Sequence, residues 1–117
     1  MYERQALAAF GALAQETRLR ILRHLVIAGP DGVAAGALAE HVEVSASNVS
    51  FHLKELERAG LVTQRRESRS ILYAAEYDAL SGLIRFLMED CCSGRAEICA
   101  PVAEAAACCA SAPGPVQ

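Results

Sequence analysis

All five cysteines of this 117-residue chain, Cys91, Cys92, Cys99, Cys108 and Cys109, fall between residues 91 and 109, with none before them. The start, Met1-Tyr2-Glu3-Arg4-Gln5, lacks the basic-then-apolar pattern of a secretory leader, and no apolar run approaches a membrane span. A cytoplasmic protein is therefore expected, where an odd set of thiols stays reduced and does not describe a disulfide framework. Thiols gathered in this way suit a ligand set or a redox site. The plainer alternative is an alanine-rich tail with incidental cysteines.

A second group of residues suits contact with DNA. Ser47, Asn48, Ser50, Phe51, His52 and Lys54 lie together, and Arg65, Arg66 and Arg69 follow within a few residues. Short polar side chains on the first turns of a helix can present donors and acceptors to base edges in the major groove. Guanidinium groups suit phosphate or minor-groove contact. Each residue also has a plainer use: His52 can support the core as readily as touch DNA, and Lys54 can be an ordinary surface lysine. The net charge of −3 does not oppose this reading. Residues 1–88 hold ten acidic and ten basic side chains, and the whole excess comes from Glu89, Asp90, Glu97 and Glu104 against Arg95.

The elements that must position these groups follow from periodicity. Residues 2–14 read as a helix with Leu7, Phe10 and Leu13 on one side. A second helix runs from about Thr17 to Ala28, carries Ile21, Leu22, Leu25 and Val26, and stops at Gly29-Pro30. Asp31-Gly32 makes a turn, a short helix covers Ala35 to Val42, and Glu43-Val44 separates it from the next. Ser45 is a good N-cap for a fourth helix ending at Gly60, with Val49, Leu53 and Leu56 as its buried stripe. Leu61-Val62-Thr63 and Ile71-Leu72-Tyr73 flank the polar stretch Gln64 to Ser70 and read as a hairpin, with Arg65, Arg66 and Arg69 at its tip. From Asp78 to Asp90 the helical period returns through Leu80, Leu83, Ile84, Leu87 and Met88. The fold class is mainly α with a β-hairpin wing, a winged helix-turn-helix. Residues 1–92 are expected to form the DNA-binding and dimerisation domain, and residues 93–117 a flexible Cys/Ala-rich tail that contributes to the thiol site.

The run Ser47-Asn48-Val49-Ser50-Phe51-His52-Leu53-Lys54-Glu55-Leu56, followed by Ala59-Gly60-Leu61-Val62, resembles the helix-turn-helix motif of the ArsR/SmtB family of metal-sensing repressors. Thr17-Arg18-Leu19-Arg20-Ile21-Leu22 resembles that family's second-helix motif, and the likeness spans about residues 5–90. Glu43 stands where the family often has glycine in the inter-helix turn, and Ser68 where glycine is common at the hairpin tip. The resemblance implies a homodimer joined through the first and last helices, which holds double-stranded operator DNA when free and releases it when an inducer binds. The apolar sides of residues 2–14 and 78–90 ask for such a partner on their own account, the plainer alternative being that both helices close the core of a single chain. Two reading helices about 34 Å apart then suit a palindromic site.

The family's inducer sites differ, and two of them do not match here. Residues 35–42 contain no cysteine, and His24, His41 and His52 all lie outside the last helix. Cys91 and Cys92, with Cys99 after them, resemble the set carried by a subgroup of arsenic-responsive repressors. Three thiolates without histidine or carboxylate suit a soft, thiophilic ion such as trivalent arsenic or antimony, whereas zinc wants four ligands. Methylarsenite needs two sulfurs, so Cys91 and Cys92 alone could serve it. A redox-sensing repressor of the same fold is the alternative, disfavoured because thiolates gain nothing from a helix C-terminus. No phosphate-cradling loop, and no nucleophile with an orienting base, accompanies the cysteines, so the chain does not read as an enzyme.

Overall fold

The computed structural model describes residues 2–88. Cys91, Cys92, Cys99, Cys108 and Cys109 lie outside them, as does the expected tail. The chain divides into two compact units, Met1–Leu83 and Ile84–Gln117; of the second, the described residues are the last turn of a helix.

Among the described residues, five helices and three short strands follow one another as α1 (Glu3–Leu13), α2 (Glu16–Ala28), β1 (Val33–Ala34), α3 (Ala35–Val42), α4 (Ala46–Arg58), β2 (Val62–Glu67), β3 (Ser70–Ala75) and α5 (Tyr77–Met88). The boundaries of α2 and α4 have local causes. Gln15 caps α2 by accepting from the Arg18 amide at 2.8 Å, and Gly29 ends it at φ +98°. Ser45 caps α4 by accepting from the Asn48 amide at 3.2 Å, and Gly60 follows its end at φ +82°. Such a cap satisfies one of the orphan amides of a first turn.

The expected winged helix-turn-helix is present, and the stripes of α2 and α4 supply most of its large core side chains. Ile21 and Leu25 of α2, Leu38 of α3, and Val49, Leu53 and Leu56 of α4 are fully buried, joined by Leu61. Each large aliphatic side chain so buried contributes roughly 1.5–3 kcal/mol. Val26 departs from the expected stripe and stands 39% exposed. His24 of α2 packs on His41 of α3 with ring centroids 4.4 Å apart.

The first helix differs from the sequence expectation in an instructive way. Its buried residues are Ala6, Ala9 and Ala12, whereas Leu7 and Phe10 face outward. Alanines at this spacing let α1 approach its neighbours closely and leave its larger apolar side chains free. On α5 Leu83 is buried, and Ile84 and Leu87 are exposed. The Tyr77 hydroxyl at the start of α5 donates to the Val26 carbonyl at 3.1 Å.

The sheet is antiparallel in the order β1-β3-β2. Two features differ from the hairpin expected. The pair Val33–Ala34 adds a third strand, in register with Tyr73 and Leu72. Gly32 at φ +89° brings the chain into it, and a Cβ there would stand 3.1 Å from the Tyr73 carbonyl oxygen. The strands also run much further than the apolar runs indicated, pairing from Val62 with Ala75 to Glu67 with Ser70. The loop is Ser68-Arg69 alone. Among the described residues no helix is long and apolar enough to cross a membrane.

Candidate nucleic-acid interface

The reading surface is built on the N-terminal half of α4. Val49 and Leu53 turn into the core, and helical geometry then forces Ser47, Asn48, Ser50, Phe51 and Lys54 outward, where all five are exposed. Phe51 is 55% exposed, an unusual state for a large aromatic ring on a surface that otherwise offers hydroxyls and an amide. The Ser45 and Ser47 hydroxyls lie 3.4 Å apart across the first turn. This arrangement can enter a groove: a capped, rigid helix end with small polar groups and one flat apolar ring.

His52 differs from its neighbours. It is half-buried, and its Nδ1 accepts from the Nε–H of Arg18 at 3.1 Å. Burial is the main reason its pKa is lowered; the Arg18 charge lowers it further, while Glu55 acts in the opposite sense. Arg18 was not among the site residues expected from sequence, although it sits in the motif Thr17–Leu22. Its partner lies 34 residues away, so the motif was the one signal that could have found it.

The hairpin arginines do not form a single tip. Arg65 and Arg66 lie on β2, and of the three Arg69 alone occupies the loop. The expected cluster of three guanidinium groups at the tip is thereby corrected, because the polar residues Gln64 to Glu67 are spent on strand pairing. Arg65 is also engaged within the chain. Its Nη2 donates to the Asp31 carbonyl at 2.7 Å, its Nη1 to the Pro30 carbonyl at 3.5 Å, and its Nε to a Glu67 carboxylate oxygen at 3.1 Å. It ties the wing to the turn before β1. Among the described residues, Arg66 and Arg69 make no hydrogen bond or ion pair, so their charges face solvent.

Among the described residues no group of three or more His, Cys, Asp or Glu is placed to hold a metal ion. The expected ligands Cys91, Cys92 and Cys99 lie outside those residues.

Comparison with known proteins agrees with this architecture. A model of a helix-turn-helix domain matches residues 13–65. The HTH-type transcriptional regulator YgaV of Escherichia coli is 33% identical over 88 residues, covering 75% of this chain and 87% of its own length. An ArsR-like transcriptional regulator from Rhodococcus superposes with a TM-score of 0.70 at 30% identity, over 83% of this chain and 89% of that one. A homodimeric winged helix-turn-helix DNA-binding domain from Mycobacterium bovis superposes with a TM-score of 0.60 at 29% identity, over 74% and 81% of the two chains.

Proposed function

This chain belongs to the ArsR/SmtB family of winged helix-turn-helix transcriptional regulators, and on that premise we propose that it is a cytoplasmic, homodimeric repressor that releases its operator on binding trivalent arsenic or antimony. The capped α4, with Ser47, Asn48, Ser50, Phe51, His52 and Lys54, enters the major groove, and Arg66 and Arg69 of the wing reach the backbone. The outward faces of α1 and α5, carrying Leu7, Phe10, Ile84 and Leu87, form the dimer contact.

One observation carries the sensing part: every thiol of the chain follows α5 within residues 91–109. Cys91, Cys92 and Cys99 would hold the ion as thiolates, a donor set suited to a soft centre and lacking the imidazoles and carboxylates that borderline metals use. Ligation next to the dimer helix would alter the separation of the two reading helices. By linkage, operator DNA must then weaken inducer binding by the same factor.

The test is fluorescence anisotropy of the reduced protein on an operator obtained by binding selection, with arsenite, antimonite, methylarsenite, zinc and peroxide added in turn. Release by a trivalent arsenic or antimony species, lost in both Cys91→Ser and Cys92→Ser, is the expected result. Release that persists in both variants would overturn the assignment of the ligands. Release by peroxide alone would make the protein a redox sensor.

A further inference from the structure

The second turn of α4 is braced from outside its own helix. Arg18, in the first turn of α2, reaches across 34 residues of sequence to donate its Nε–H to His52 Nδ1 at 3.1 Å. Its guanidinium carbon stands 5.8 Å from the centroid of the Phe51 ring, within cation–π range. The Phe51 and His52 rings in turn meet edge-on, with centroids 5.4 Å apart and planes at 66°. Three side chains from two helices thus form one packed unit at the edge of the reading surface.

The hydrogen bond has a chemical consequence. A ring nitrogen that accepts cannot carry a proton, so neutral His52 must hold its proton on Nε2. The lowered pKa favours that neutral form. Arg18, meanwhile, uses its Nε here, and its two Nη groups make no hydrogen bond among the described residues. The unit therefore offers the Nε2–H of His52 and the N–H groups of a guanidinium, and no acceptor. His52 lies one turn beyond Asn48, and Phe51 one turn beyond Ser47, which places this unit beside the groups that face the groove.

We propose that Arg18 positions His52 as a fixed Nε2–H donor and joins it in clamping one phosphate of the operator backbone. A donor-only pair carrying one positive charge matches a phosphodiester oxygen at any sequence; guanine, with N7 and O6, also presents acceptors alone, and a loss confined to the selected operator would mark that contact instead. The inference rests on the DNA-binding reading above. It adds to it a residue of α2 and a division of labour along α4, with base contact at Ser47, Asn48, Ser50 and Phe51 and registration on the backbone at His52.

The experiment combines imidazole 15N–1H correlation spectra of the free protein with affinities for the selected operator and for a scrambled duplex. Native protein, Arg18→Lys, His52→Gln and the double variant are compared, and thermal unfolding confirms that each folds. Arg18→Lys keeps the charge but lacks the Nε–H. It is expected to turn a single His52 tautomer into a mixture and to weaken both duplexes alike, by about tenfold. In the His52→Gln background the same substitution is expected to cost clearly less, the mark of coupled residues. An unchanged His52 tautomer in Arg18→Lys, equal costs in the two backgrounds, or a loss confined to the selected operator would overturn the proposal. Native protein that binds neither duplex would remove the DNA-binding reading and this clamp with it. The tautomer, read without DNA, keeps the two failures apart.

Discussion

At His52 a single side chain ties burial and a neighbouring charge to the pH dependence of stability. Its pKa lies below the ordinary value of 6.5, first through burial and second through the Arg18 charge, with Glu55 opposing. Arg58 in turn engages Glu55 at 3.3 Å. The unfolded chain accepts a proton on His52 more readily than the folded one. The contribution of the neutral ring is therefore complete above about pH 6.5 and is lost as the pH falls below it towards the folded-state value. Urea denaturation across this window should show the native midpoint dropping more steeply on acidification than that of His52→Gln. Equal pH dependence in the two proteins would mean that His52 is as easily protonated in the fold as in the free chain.

At the scale of elements, two turns carry residues that their backbone does not favour. Glu43 closes the helix-turn-helix turn at φ 58° and ψ 48°, and Ser68 opens the hairpin loop at φ 55°. These are the two positions where the resemblance called for glycine and the chain has something else. A left-handed conformation costs an L-residue about 1–2 kcal/mol, against the roughly 0.5–1 kcal/mol of extra chain entropy that glycine loses on folding. Glu43→Gly and Ser68→Gly are each expected to stabilise the protein by about 0.5–1 kcal/mol, seen as a higher urea midpoint at unchanged slope. Elements with strong local signals were legible beforehand: α3 between Ala35 and Val42, the Ser45 cap, and the Val49, Leu53, Leu56 stripe. What escaped depends on distant partners. Val33-Ala34 is too short to show a period and is a strand because β3 lies beside it. Gln64 to Glu67 resemble a loop by composition, yet the register with Ser70–Tyr73 makes them strand. Arg18 and His52 each stand in a recognisable motif, but their meeting is a tertiary event. The alanine face of α1 was obscured because alanine carries little weight in a hydrophobic pattern.

For the whole molecule, the proposed assembly turns on the exposed apolar residues of α1 and α5. Leu7 at 65% and Leu87 at 58% exposure are costly to leave in water and inexpensive to cover with a second copy. The double substitution Leu7→Glu and Leu87→Glu should give a monomer in sedimentation velocity while the circular dichroism spectrum is retained. Operator affinity should fall about a hundredfold or more, because two linked half-site contacts become separate ones. A dimer persisting at micromolar concentration would place the interface elsewhere. The inward tie of Arg65 bears on a different quantity, the number of ions that binding sets free. Each phosphate neutralised on duplex DNA releases condensed counterions and contributes a slope of about −0.9 to log K against log salt concentration. Arg69, turned to solvent on each wing, should count once per protomer, so Arg69→Gln is expected to flatten the slope by roughly 2 for a dimer. Arg65, already held by the carbonyls of Pro30 and Asp31, should hardly count. Arg65→Gln would then lower affinity by loosening the wing while leaving the salt slope near its native value. If both substitutions flattened it equally, Arg65 would have to abandon those carbonyls on the operator, and the wing would be remodelled by DNA rather than presented to it ready-made.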